Sequence, residues 1–379
     1  MPAVALAAPA RGGTGLAERV LFKSLVLFGV IWPFLVLAAP SAVAWERFWD
    51  AENYRHVGQQ FLDGANLYQS IYFRQWPLVA ALCAPLTLLP PLVANVVMAT
   101  LCTAGGMLGL AGALARLRRQ GLSPGRLCLA ATALGPPFLM LFYVGQMTGL
   151  CFAAYGAGLL LIDRHPRLAG ICFALMAAKP HLALIALPAL IASGPAATVA
   201  FGLAALGWPA ASLLAGGVDG LVDFAGQLLR VGGTGTLQNS GVSLASLFRL
   251  QGQPLAVAQA LCLAALLLFL GRMALLRWRG RPLSPGGVDA AAALILALLP
   301  YGMMYDLIFV SPVLLRLGSR PDRRSGTLLA AWWLSLLFTL LLVDRGGGSV
   351  LGLIPLLAAT LWLARPRAEG RLARPPALA

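Results

Sequence analysis

PLAVAQALCLAALLLFLG, residues 254–271, runs eighteen positions without one charged side chain. A soluble helix of that length needs a polar face to meet water, and none can be drawn here, so the stretch reads as a membrane-spanning helix. The whole chain agrees with it. Its 379 residues are 59% hydrophobic and 11% charged, against about 25% charged in soluble domains, and the mean hydropathy is +0.82. The reading is all-α, a polytopic transmembrane helical protein.

Apolar segments fall at about 20–40, 76–115, 127–143, 147–162, 167–178, 181–193, 197–215, 252–273, 287–300, 302–317, 326–343 and 348–364, which makes about 12 spans. Several are shorter than the roughly 20 residues a simple span needs. The segment 76–115 is too long and is broken at Pro90–Pro91, so 76–90 is expected to be a re-entrant or half-buried helix leading into one span. The organisation expected is a cytoplasmic N-terminus at 1–19 followed by an uncleaved first span, a single transmembrane domain at 20–364, and a basic cytoplasmic tail at 365–379. Cys83, Cys102, Cys128, Cys151, Cys172 and Cys262 all lie in apolar segments without a CxxC pair, which predicts neither disulfides nor a thiolate metal site.

The net charge of +15 does not mark a nucleic-acid binder, because the bases come as short clusters between apolar segments rather than as a stripe. With the N-terminus inside, 21 of the 28 Lys/Arg face the cytoplasm, among them Arg116, Arg118, Arg119 and Arg316. That bias predicts an N-in/C-in topology. Eight of the 13 acids then lie outside, and the insertion rule does not explain their side.

The outer connections gather the residues that look out of place in so apolar a chain. They are the first outer loop 41–75, the turns at 143–146, 179–181, 300–306 and 344–347, and a long outer loop at 216–251. They hold Asp50, Glu52, Arg74, Gln146, Lys179, His181, Asn239, Tyr305 and Asp306. An ionisable residue at the membrane boundary is by default a site candidate. Each has an ordinary alternative: Asp50 is equally a helix N-cap for AENYRHVGQQFL, Lys179 a snorkelling lysine, and His181 a satisfied interfacial histidine. Asp306 is harder to dismiss, since a carboxylate between apolar helices is costly unless paired or wet. Within the first loop, VGQQFLDGANLY reads as an amphipathic interfacial helix with Val57, Phe61 and Leu62 on one face, closed by the turn Asp63–Asn66. A water-accessible carboxylate such as Asp50 over a site open to lipid suits a general base, and a lysine on the same face suits a lipid phosphate.

At these residues the chain resembles the glycosyltransferase family 87 proteins, polytopic enzymes of the GT-C class that include polyprenol-phosphate-mannose-dependent mannosyltransferases. The resemblance rests on WDAENYRHVGQQFLDGANLY, RQWPLVAALCAPLTLLP, YVGQMTGL, AAKPHLAL, LQNSGVSLASLF and LLPYGMMYDLIFVSPVLL, in order over about residues 20–320. It implies a GT-C-like fold and transfer of a sugar from a polyprenyl-phosphate donor to a lipid or glycan acceptor on the periplasmic face of a bacterial inner membrane. By the resemblance Asp50 stands at the place of the general base; placement on the same face, rather than the resemblance, makes Lys179 the candidate for the donor phosphate and puts Gln146, Asn239, Tyr305 and Asp306 around the cavity. Thr148 stands where related sequences often carry Asn, and Tyr305–Asp306 where some carry a histidine pair, so mannose specificity is not carried over.

Direct displacement of a lipid phosphate would invert the anomeric centre. It needs no cofactor and, with no DxD-like pair in the outer loops, no obligatory metal. The main rival is a polyprenyl-linked lipid transporter or flippase. Transporters place polar residues near the midplane and carry internal repeats, whereas here the polar set lies toward one face. A lipid-linked glycan ligase would call for an arginine-rich outer loop, and 216–251 offers only Arg230 and Arg249.

Overall fold

The structure is a computed structural model that describes residues 47–69, 73–230, 243–244, 255–281, 283–299, 302–320 and 323–342. The expected N-terminus, the first span at 20–40, Asn239, the span at 348–364 and the basic tail lie outside the described residues. Helices account for the regular structure described: α1 (Trp49–Leu62), α2 (Pro77–Cys83) prolonged by a 3-10 turn at Ala84–Leu88, α3 (Pro91–Arg119), α4 (Arg126–Ala133) and α5 (Pro136–Val144). They continue as α6 (Thr148–Leu161), α7 (Pro166–Leu175), α8 (Pro180–Ala183), α9 (Leu187–Ser193), α10 (Pro195–Ala205) and α11 (Gly207–Arg230). The last four are α12 (Leu255–Trp278), α13 (Pro285–Leu298), α14 (Ser311–Gly318) and α15 (Arg323–Leu342).

Proline starts most of these helices. Pro77, Pro91, Pro136, Pro166, Pro180, Pro195, Pro285 and Pro312 sit in first turns, where the missing N–H is not needed and the fixed φ suits the helix. The same prolines cut the apolar runs into short pieces. Four helical stretches, Pro91–Arg119, Arg126–Val144, Pro195–Leu228 and Ala256–Trp278, are long and apolar enough to cross a membrane, while 148–161, 166–178, 180–193 and 285–298 are shorter apolar helices. The protein is thus a helical membrane protein.

Two expectations about the connections change. The part of 216–251 that precedes the undescribed stretch is not loop: α11 runs through to Arg230, kinked at Gly217 with φ 65°. Asp219 and Asp223 dilute its hydropathy, yet Phe224 is buried, in ring contact with Trp76 at 4.3 Å and Tyr68 at 6.2 Å. In the first loop, α1 begins two residues earlier than a helix capped by Asp50 would. Its buried stripe is Ala51, Tyr54, Val57 and Gly58, while Leu62 is exposed.

The core pairing is α3 against α6. Gly105, Gly109 and Gly112 of α3 face Gly149, Phe152 and Gly156 of α6 in the same chain direction. A Cβ on Gly149 would lie 1.8 Å from the Cys102 carbonyl oxygen, and one on Gly156 would lie 2.4 Å from that of Gly109. Only bare backbone permits this approach, the small-residue packing by which helices associate where no hydrophobic effect drives them together. All six cysteines are free, and five are buried.

Candidate functional site

The site assembles where α1 meets the break between α5 and α6. Gly145 ends α5 in the left-handed conformation at φ 73°, and a Cβ there would lie 2.5 Å from that of Ala51. Glycine is required twice over, for the turn and for the contact. Phe48, itself at φ 60°, donates its backbone N–H to the Tyr143 carbonyl at 2.7 Å. These contacts fix the first turn of α1, and Asp50 with it, above Gln146 and Thr148.

Lys179 arrives from a second break. A 3-10 turn at Met176–Ala178 ends α7, and Pro180 pushes Lys179 into extended backbone, as a residue before proline tends to be. Its ammonium donates to Thr148 Oγ1 at 2.8 Å, lies 3.4 Å from Asp306 Oδ1 and stands 4.9 Å over the Tyr305 ring. A third break, the 3-10 helix Met304–Val310, carries Asp306. The Thr148 hydroxyl donates to Asp306 Oδ1 at 2.8 Å, and the Met303 N–H donates to Oδ2 at 2.9 Å. Asp306 is fully buried with both oxygens occupied, the condition under which a buried charge is tolerated.

Asp50 differs from every other member of the cluster in being half-buried. Burial pushes its carboxyl up to about 7, opposed by the Lys179 charge and by a hydrogen bond from the Gln146 side chain; the Asp306 charge raises it further and Arg74 lowers it. Gln146 in turn accepts from the Tyr54 hydroxyl. Arg74 and His181 are buried, and Arg74 sits in a segment tied down by Tyr68 donating to the Gln75 carbonyl at 2.9 Å and by Trp76 donating to the Ala177 carbonyl at 2.7 Å.

The structure therefore brings Asp50, Gln146, Lys179, Asp306 and Tyr305 together, with Arg74 and His181 beside them. Glu52 turns elsewhere: it pairs with Arg55 and accepts from Asn95 at 3.0 Å, and the Arg55 hydrogen bond holds its carboxyl below the usual range. Asp50 lies inside the first turn of α1, where Phe48 is the cap residue, and no side chain caps the helix. Two members were not singled out by sequence reasoning. Thr148 was visible only as a departure from relatives, and Tyr54 only through its spacing, four residues after Asp50 and so on the same helical face. Among the described residues, no three His, Cys, Asp or Glu side chains gather as a metal site.

The family model for glycosyltransferase family 87 matches residues 77–303, more than half of the chain. The chain belongs to glycosyltransferase family 87. It is accordingly a membrane enzyme of the transferase class. No curated protein and no solved structure matches it. The matched span contains Gln146, Thr148, Lys179 and His181, while Asp50 and Asp306 flank it on either side and reach the same place through the fold.

Proposed function

We propose that this family 87 enzyme transfers a sugar from a polyprenyl-phosphate donor to a lipid or glycan hydroxyl on the periplasmic face of a bacterial inner membrane, with Asp50 as general base. The acceptor oxygen gives its proton to Asp50 and bonds to the anomeric carbon. The bond from that carbon to the phosphate oxygen breaks on the opposite side, and the lipid phosphate leaves with the electron pair, inverting the centre. Lys179 and Arg74 supply cationic stabilisation to a leaving group that needs charge compensation more than a proton. No cofactor and no metal enters this scheme.

The observation that carries the assignment is the contrast between the two acids. Asp306 has both oxygens committed to Thr148, Lys179 and the Met303 N–H, whereas Asp50 reaches the surface with its carboxyl near neutrality. A base poised near the operating pH combines a useful ionised fraction with real proton affinity.

The test is transfer by the purified protein in nanodiscs, using radiolabelled polyprenyl-phosphate sugars and a membrane-lipid extract. Wild type moves label, and Asp50→Asn loses about 10²- to 10⁴-fold, the usual contribution of a general base. Donor binding without transfer by folded wild type would instead support a flippase.

A further inference from the structure

Gln146 has an ambiguous amide: flipped one way its NH2 faces Asp50, flipped the other its carbonyl oxygen would confront the carboxylate. We infer that Tyr54 is a positioning residue whose hydroxyl, donated to Gln146 Oε1, locks the amide in the orientation that presents its NH2 to Asp50. This deepens the assignment of Asp50 as base and rests on it.

The geometry joins two elements far apart in sequence. Tyr54 lies on α1, four residues after Asp50, and Gln146 lies in the turn 92 residues further on. Both are buried, at 3% exposure each, so water does not compete for the bond. Burial raises the Tyr54 phenol well above its ordinary range, with the Asp50 charge acting in the same direction, so the hydroxyl keeps its proton and acts toward Gln146 as a donor. A donor on one side obliges Gln146 to accept there and leaves its two N–H groups for the other side. The Gln146 side chain acts on Asp50 so as to favour its charged form, which is the effect of an amide that turns its N–H groups toward the carboxyl.

The consequence falls on the base. A hydrogen bond to the charged form favours that form, so the amide keeps a larger fraction of Asp50 ionised at neutral pH and fixes which carboxylate oxygen stays open to an acceptor. The other charged and titratable groups facing Asp50 are Lys179 from the turn before α8, Arg74 from the segment before α2, Asp306 from the 3-10 helix and Cys102 from α3. They remain in place when Tyr54 or Gln146 is replaced. Losing the amide should therefore move the ionisation of Asp50 upward without abolishing it.

The experiment is the pH dependence of kcat for wild type, Tyr54→Phe, Gln146→Met, Gln146→Glu and Asp50→Asn, each on the full chain in nanodiscs. Wild-type kcat rises with pH through a midpoint near 7. Gln146→Met moves that midpoint up by about one pH unit, a tenfold change in ionisation. Tyr54→Phe moves it up by less, because the amide then samples both flips. Gln146→Glu moves it furthest, since a second carboxylate beside Asp50 disfavours ionisation, and it keeps an acceptor for Tyr54 if removal of the phenol prevents folding. In Gln146→Met, Tyr54→Phe and Gln146→Glu, turnover lost at pH 7 recovers toward pH 9, whereas Asp50→Asn stays inactive throughout. A uniform loss at every pH with the midpoint unmoved would overturn the inference and leave Tyr54 as a packing residue. If Asp50→Asn is inactive while the midpoints stay fixed, the positioning role alone fails. If Asp50→Asn keeps its activity, the base assignment fails and takes the positioning role with it.

Discussion

Two buried charge clusters lie about 20 Å apart along α3, judging from the 1.5 Å rise between its contacts near Cys102 and near Arg116. In one, Asp289 at the start of α13 receives Arg116 Nη1 from α3 at 2.6 Å on one oxygen, and Arg316 Nε and Nη2 from α14 at 3.0 and 2.6 Å on the other. Arg316 also donates to Gln120 at 2.8 Å. In the other, Asp306 is held by a threonine, a backbone N–H and a lysine, with a half-buried aspartate next to it. The first has a two-donor Arg316 fork on one carboxylate oxygen and a single Arg116 bond on the other, and so joins three helices. The second uses the point charge of one of only two lysines in the chain and leaves one acid open. Arginine pairing on both oxygens of one acid holds helices together, whereas an under-committed set keeps charge available for chemistry.

The comparison breaks most readily at Asp289. Asp289→Ala leaves Arg116 and Arg316 buried without their shared counter-charge, and a loss of about 3–5 kcal/mol is expected, read as a fall in the unfolding midpoint in detergent. Replacing all three together by Arg116→Met, Asp289→Leu and Arg316→Met should recover most of that loss, since a well-packed apolar set often substitutes for a buried ion group. An Asp289→Ala protein as stable as wild type would mean that the triad joins nothing.

Lys179→Met sharpens the functional half. Asp306 keeps the Thr148 hydroxyl and the Met303 N–H, so the stability cost should be smaller than at Asp289, about 1–3 kcal/mol. Transfer should drop by about 10²- to 10³-fold if the ammonium meets the leaving phosphate. Lys179→Arg should restore little, because a planar fork does not reproduce the point charge held between Thr148 Oγ1 and the Tyr305 ring. Unchanged kcat with only reduced stability would reassign Lys179 to holding the 3-10 helix of Asp306.

The sequence carried the class of this fold in its composition, and the prolines that start helices were in plain view. What it did not carry was which charges meet. Arg116 and Arg316 read as topology signals at helix ends, and nothing in VDAAAALIL announces that Asp289 is their shared partner, because the pairing depends on the register of helices 173 and 27 residues apart. The outer cluster was easier. Its members sit where apolar runs break at GQMT, KPH and MMYD, and such breaks are tolerated only where something re-satisfies the freed backbone. Glu52 shares the Asp50 loop but lies two positions on, a rotation of roughly 200° about the helix axis, and so points to Arg55 and Asn95 instead. The end of α11 escaped because two aspartates hid a helix that the Phe224 contacts require.

The smallest effect expected is also the most specific to the contrast. Asp50 has its folded-state pKa raised from 3.8 to about 7, so between those values the folded protein binds a proton that the unfolded chain releases. Stability linked to this group is therefore full below about pH 4 and is lost as pH rises toward 7. Asp50→Asn carries no such proton, so its unfolding midpoint should gain on wild type as pH rises from 4 to 7 and run parallel above that. The gap should be on the order of 2 °C, small because the group is only half-buried and solvent screens it. Asp289→Asn should instead lower the unfolding midpoint outright, because it leaves Arg116 and Arg316 without their shared counter-charge. A gap at Asp50 that is flat with pH would show the carboxyl to be as well satisfied as that of Asp289, and the distinction between a closed cluster and an open one would go with it.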